Sequence, residues 1–277
     1  MPEFSIVTIV KGRRKQLSNL LISIKFSTIL PVDIQIVCMD EPDEILIPNG
    51  LSVDIHQMIS SHSLPLAAAR NMGIKASKTE NIVFIDVDCM VSPTLFESLL
   101  GSLQADKIIA AYPLYLPIVP ENEDFSQLLN QSVAHPARER IPSGERVPHL
   151  QFWSLIFAVE KQTFMKIGGF DESFIGYGAE DTDFSMTFHT RGVEHIFVKD
   201  YILHQYHDKY DPPLNHFYSI IKNAQRYQKK WSVLPMQKWL RAFEELDLIK
   251  IDQYENIKII QKPTANQIRN SISTNPY

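Results

Sequence analysis

Apolar and polar positions alternate along the chain with two different periods, and the switches between them mark out elements. Short β-branched runs predict strands at Phe4–Val10, Asp33–Met39, Asn81–Ile85 and Lys107–Tyr112, and the alternation over Ser52–Met58 predicts another. Between them, Leu17, Leu20, Leu21 and Ile24 recur at helical spacing within Arg14–Phe26, and Pro65–Ser77 is alanine-rich and amphipathic. Pro93 opens a further helix at its first turn. Strands alternating with helices over the first 112 residues predict an α/β fold, a mostly parallel sheet covered on both faces. From Pro113 to Val147 prolines and mixed charges break the pattern, which reads as a loop-rich crossover. Periodicity returns at Leu150–Val159, a strand is expected at Val193–Val198, and His216–Lys230 and Leu234–Leu248 read as two amphipathic helices. Residues 262–277 hold few hydrophobic side chains and are expected to fray.

Composition narrows the function. The 277 residues carry 27 Lys+Arg against 32 Asp+Glu, a net charge of -5, which argues against a dedicated nucleic-acid binder and leaves room for a local phosphate pocket. Cys38 and Cys89 are the only cysteines, too few for a disulfide framework or a four-thiolate zinc site. The apolar run at Phe4–Val10 is too short for a secretory signal and no run reaches the ~18 residues of a membrane span. A cytoplasmic location is expected, with peripheral membrane contact open because Trp231, Trp239 and several lysines sit on the last helices.

Three clusters carry candidate chemistry. Lys11, Asp40 and the pair Asp86/Asp88 each follow a predicted strand, at the sheet edge where α/β proteins bind ligands. Two carboxylates after an apolar strand suit a hard divalent cation, although a solvated loop reads the same way. Gly168, Gly169, Gly176 and Gly178 then lead into Glu180, Asp181 and Asp183; the glycines favour a ligand loop, and helix capping is the simpler reading of the acids. His204 and His207 are three apart after a strand, a spacing that lets imidazoles join a metal shared with a carboxylate or pack structurally.

Taken in order, Val7–Leu17, Leu66–Ser77, Phe84–Pro93, Lys166–Phe184 and the His204/His207 segment resemble the inverting glycosyltransferases of the GT-A fold. The N-terminal half is similar to family 2. The C-terminal half resembles the galactosyltransferase type of beta-1,4-galactosyltransferases and chondroitin-polymerase-like enzymes. The resemblance implies a catalytic domain over 1–215, with a nucleotide-binding half at about 1–112 and an acceptor and catalytic half at about 113–215, followed by a helical extension at 216–261. It implies a nucleotide-sugar donor, UDP-linked, a glycan or lipid-linked acceptor, and Mn2+ or Mg2+ as cofactor.

The same resemblance distributes roles. Val10, Lys11 and Arg13 match the loop along the nucleotide, Asp40 the acid that reads the base, and Arg70 and Asn71 the helix residues that buttress the nucleotide. Asp86 matches the acid nearer the ribose, and Asp88 the metal-binding aspartate. Asp181 matches the catalytic base and Glu180 the residue that holds a sugar hydroxyl. His207 matches the metal-binding histidine, and His204 stands where animal enzymes use methionine as a further ligand. Tyr177 matches the tryptophan that floors the nucleotide-sugar site in those enzymes, Ala179 replaces a common glycine, and Val10-Lys11-Gly12 lacks the usual proline. The alternatives are a non-catalytic nucleotide-sugar or glycan-binding module and a sugar nucleotidyltransferase, the latter disfavoured by the single glycine in Lys11–Lys15.

Overall fold

A computed structural model describes residues 2–275 except 41–44, 61–63, 122–124, 139 and 274. Strand β1 (Phe4–Val10) is buried at every position and leads into α1 (Arg14–Lys25). There follow β2 (Asp33–Met39), β3 (Val53–Met58), α2 (Leu66–Ala76), β4 (Asn81–Ile85), the short β5 (Cys89–Val91) and α3 (Leu95–Ser102). The second half begins with β6 (Lys107–Tyr115), α4 (Phe125–Leu129), β7 (Val133–Ala134), β8 (Ile156–Glu160) and α5 (Lys161–Ile167). It continues through α6 (Glu180–Thr190), β9 (Glu194–His204), β10 (Lys209–Tyr210), α7 (Phe217–Trp231) and α8 (Gln237–Glu245). The hairpin β11 (Ile249–Ile251) and β12 (Ile257–Ile259), then α9 (Ala265–Asn270) and β13 (Ile272–Ser273), complete the chain.

The main sheet has the order β3-β2-β1-β4-β8-β6-β9-β5, with β7 added to β6. Strands β3, β2, β1 and β4 are mutually parallel. β8 runs against both β4 and β6, and β6 is parallel to β9, so β6 and β9 point the same way as the first four. Alternation along β1 explains the two-sided cover. Phe4, Ile6 and Val10 meet Leu17, Leu20, Leu21 and Ile24 of α1, whereas Val7 and Ile9 meet Ala67, Ala69 and Ile74 of α2. Helix α2 crosses the sheet so closely at Gly73 that a Cβ there would stand 2.4 Å from Val7 Cγ1.

The later half departs from the periodicity in three places. Leu150–Val159 is not one element: a 3-10 turn at His149–Gln151 precedes β8, and the residues between face a cavity. The strand expected at Val193–Val198 runs on to His204 because β6 and β5 offer it partners on both sides. The stretch 262–277 is not a frayed tail over its described part. Thr264 and Gln267 form a reciprocal capping box for α9, and β13 pairs with β10 through Tyr210 and Ile272. Few hydrophobic residues suffice, because the cap, the ladder hydrogen bonds and the packing of Ile268 on the Leu214–Phe217 cluster supply the order.

Candidate functional site

The carboxyl ends of β1 and β4, the loop 176–179 and the first turns of α6 and α8 surround a cavity of about 750 Å³. Lys11, Arg13, Arg70, Asp86, Tyr177, Glu180 and Asp181 all line it. Its position beyond the strand ends follows from the sheet, where the chain must leave each strand and turn.

Register brings Asp88, His204 and His207 together. After β4 the chain turns at Asp86, whose carbonyl accepts from the Cys89 N–H (3.0 Å), and enters β5. β5 pairs antiparallel with the end of β9, so Cys89 stands opposite His204. Gln205 N–H then donates to the Asp88 carbonyl at 2.7 Å, which locks the two segments. His204 Nε2 lies 3.6 Å from Asp88 Oδ1, and His207 Nε2 lies 3.5 Å from Asp88 Oδ2. The ligand atoms of Asp88, His204 and His207 fall within 4.8 Å of one another. His207 Nδ1 donates to the Asp208 carbonyl (2.9 Å), which leaves its Nε2 lone pair facing Asp88. Burial holds both imidazoles below their ordinary range, His204 far below and His207 at about 4, so both are neutral near pH 7. Neutral imidazoles and one nearly buried carboxylate form a donor set that fits a divalent cation. The Arg13 guanidinium pairs with Asp88 and ties this group to the cavity, which Arg13 also lines.

A second charge chain crosses the cavity wall. Arg70, buried in α2, lies against the rings of Phe84 and Phe170 (5.4 and 5.2 Å). Its Nη1 meets Glu180 Oε1 at 3.2 Å and its Nη2 lies 3.9 Å from Asp86 Oδ1. Glu180 Oε2 is buried without a hydrogen-bond partner among the described residues. Burial pushes the Asp86 carboxyl upward, with Arg70 and Arg13 opposing. Burial, and next the Glu180 charge, push Asp181 up to about 7, while the Thr182 N–H donates to Asp181 Oδ1 at 2.7 Å.

Asp183 belongs elsewhere. Two residues on, about half a turn round α6, it points away from Asp181 and onto α7, where it accepts from Trp231 Nε1 (2.7 Å) and pairs with Lys230 Nζ (2.9 Å). Buried Asn223, also on α7, donates to the carbonyls of Gly178 (2.8 Å) and Ile175 (3.2 Å). Gly178 has a φ of +96° and a Cβ there would stand 2.9 Å from Met236 Sδ. The C-terminal helices therefore seat the loop that presents Tyr177, Glu180 and Asp181. That placement also redirects the two tryptophans taken from sequence as candidates for a membrane surface: Trp231 is bonded to Asp183 and Trp239 lines the cavity. No helix among the described residues is long and apolar enough to cross a membrane.

Six of the expected site residues do not line the cavity: Asp88, His204 and His207, which reach it through Arg13, and Val10, Asn71 and Asp40. Val10 is buried in the core with Leu17 and Leu20. Asn71 fixes the loop after Gly169: its Nδ2 donates to the Phe170 carbonyl (2.8 Å) and its Oδ1 accepts from the Phe170 N–H (2.9 Å). Asp40 accepts from the Ser60 N–H (2.8 Å) and pairs with Lys11 Nζ (3.0 Å); the Ser60 and Lys11 hydrogen bonds hold its carboxyl at about 2. Asp40 thus orients a cation that lines the cavity. Periodicity also hid several cavity residues. Trp153 sits in an apolar run that reads as core, yet it lines the cavity, with the buried Arg138 guanidinium 3.4 Å from its ring centre. His216 and Trp239 read as helix residues and line it too.

An open sheet with this topology and its site beyond β1 and β4 is the architecture of the GT-A glycosyltransferases. Staphylococcus aureus TarS, residues 1–349, superposes with a TM-score of 0.56 at 15% identity, over 82% of this chain and 65% of that one. GalNAc-T7, solved with UDP, GalNAc and Mn2+, gives a TM-score of 0.55 at 19% identity, over 74% of this chain and 43% of that one. The profile described as glycosyltransferase like family 2 matches residues 49–196, just over half of the 277, and the chain belongs to that family. Validoxylamine A glucosyltransferase of Streptomyces hygroscopicus subsp. jinggangensis (strain 5008) is 26% identical over 151 residues, covering 46% of this chain and 36% of that protein. Pre-mycofactocin glycosyltransferase of Mycobacterium tuberculosis (strain CDC 1551 / Oshkosh) is 26% identical over 186 residues, covering 65% of this chain and 38% of that protein. The chain spans little more than a third of the length of these relatives.

Proposed function

We propose that this protein is an inverting glycosyltransferase that moves a sugar from a UDP-linked donor to an acceptor hydroxyl, with Asp181 as general base. The observation that carries the reading is the meeting, in one cavity, of two cations suited to phosphates, Lys11 and Arg13, with a carboxyl that titrates near neutrality, Asp181. Family membership, and relatives whose names are those of glycosyltransferases, support it.

Lys11 and Arg13 bind the diphosphate, and Asp86 lies on the ribose side. Asp88, His207 and His204 would hold Mn2+ or Mg2+. Such an ion supplies positive charge beside the leaving diphosphate. The Asp88–His204–His207 set and the Glu180–Asp181 pair are also what favour the galactosyltransferase type for the C-terminal half. Glu180, held at one oxygen by Arg70, offers its free Oε2 to a sugar hydroxyl. In the reacting complex the acceptor oxygen bonds to the anomeric carbon as the carbon–oxygen bond to the diphosphate breaks. UDP leaves with that electron pair, and Asp181 takes the hydroxyl proton. The single displacement inverts the anomeric carbon and needs no protein nucleophile.

A donor panel tests this. Thermal shift with each nucleotide sugar and Mn2+, followed by release of the nucleoside diphosphate, should single out one UDP-sugar. A panel in which none stabilises the protein or turns over contradicts the reading.

A further inference from the structure

Residues 214–273 lie beyond the matched family segment, yet they build one wall of the cavity. His216 precedes α7, and Lys238 and Trp239 lie in the first turn of α8. The Tyr177 ring stacks with His216 at 4.5 Å and 22° and with Trp239 at 5.8 Å and 28°. Tyr177 and Trp239 pack on the apolar cluster of Leu214, Phe217, Ile220 and Leu240, so the rings are braced from behind. Charge is absent from this wall in net terms. Lys238 Nζ pairs with Asp211 at 3.0 Å, and burial lowers the pKa of His216, keeping it neutral. The other cations lining the cavity lie elsewhere: Lys11 and Arg13 in the loop after β1, and Arg70 on α2. A flat, uncharged aromatic face suits the C–H face of a sugar ring and not a diphosphate.

We infer that the Tyr177–His216–Trp239 wall is the acceptor platform, taking a neutral pyranose ring against its aromatic faces so that a ring hydroxyl reaches Asp181. The inference rests on the glycosyltransferase reading above, and it gives that reading an acceptor class: a glycan or glycoside ending in an uncharged pyranose.

The test is binding, with the full chain and a panel of methyl pyranosides, followed through the indole N–H resonances; Trp239→Phe assigns the Trp239 signal. At least one pyranoside should shift the Trp239 signal. His216→Ala should weaken that pyranoside by tenfold or more, and Trp239→Phe should retain affinity that Trp239→Ala loses. UDP affinity in Mn2+, measured by calorimetry on the same samples, should change by less than threefold. A panel that leaves the Trp239 signal unmoved, or shifts only Trp153, overturns the platform. So does a Trp239→Ala protein whose UDP affinity falls as far as its pyranoside affinity. Wild-type protein that binds a pyranoside at Trp239 but no UDP would leave the platform standing and sink the donor reading, so the two failures are distinct.

Discussion

His207 Nε2 lies 3.5 Å from Asp88 Oδ2, and the contact is fixed by two independent anchors. The β5–β9 ladder sets Asp88 beside His204, and the Nδ1 bond to the Asp208 carbonyl turns the His207 ring. A ligand atom held this way loses little freedom when an ion arrives. His207→Ala should therefore weaken Mn2+-supported activity at least tenfold, the scale on which a disturbed ligand set loses metal. His204→Ala removes a ring that also packs on Tyr115 at 4.9 Å, so its Mn2+ dependence should change together with its thermal stability. A Mn2+ titration of both variants, paired with melting curves, checks the difference.

The low position of these imidazoles sets a pH expectation. An unperturbed histidine charges near ~6.5, and a metal site built on one would fail through that range. His207 stays neutral down to about 4 because it is buried and Arg13 lies close. Mn2+ affinity should hold from pH 7.5 to 5.5 and drop only below. Calorimetric titration over that interval would contradict the assignment if affinity collapsed near pH 6.5.

Asp181 gives a second pH signature, with the opposite use of burial. Its carboxyl ionises at about 7, so kcat/KM should rise with pH through that value and level off above it. Asp181→Asn should retain donor binding, lose turnover by roughly 10²-fold or more, and lose this limb of the profile. Loss of donor affinity instead would make Asp181 a binding residue.

The same raised value predicts a stability effect. The unfolded carboxyl titrates near ~3.9, so the folded chain binds the extra proton between there and about 7. Stabilisation from this group is complete below the lower value and is lost as pH rises through the upper one. Asp181→Asn should melt above wild type at pH 8, and the gain should vanish by pH 4. Equal melting temperatures at pH 8 would mean that the carboxylate is better solvated than its neighbours imply.

Lys230 and Asp183 join α7 to α6, two residues along from Asp181. Lys230→Met leaves the buried Asp183 carboxylate with Trp231 alone and should cost ~1–3 kcal/mol. Urea unfolding measures it, and a change below ~0.5 kcal/mol, the scale of an ordinary surface substitution, would show the contact to be incidental.

In the parallel half of the sheet β1, β2 and β4 were legible because they are buried on both faces and rich in apolar residues, and the edge strand β3 was legible from its alternation. Asp88, His204 and His207 were legible as separate motifs, but their meeting depends on a three-residue strand pairing with the end of β9, which no local pattern announces. Asp183 looked equal to Asp181 in sequence; the turn of α6 separates them and only α7 shows which one is structural. Trp153 and Trp239 escaped for the opposite reason. Trp153, in an apolar run, reads as core, and Trp239, beside lysines on an amphipathic helix, reads as a surface residue; whether either ring meets a cavity is decided by elements far away in the chain.

In the proposed function, Lys11, Arg13 and the Asp88–His204–His207 group together form a metal-dependent site for a nucleoside diphosphate. Calorimetric titration of UDP into wild-type protein and into Asp88→Asn, each with Mn2+ and with EDTA, tests it most directly. The prediction is saturable binding to wild type in Mn2+ that EDTA abolishes and Asp88→Asn loses while its melting curve stays cooperative. Equal UDP affinity in wild type and Asp88→Asn, or binding indifferent to EDTA, would contradict it.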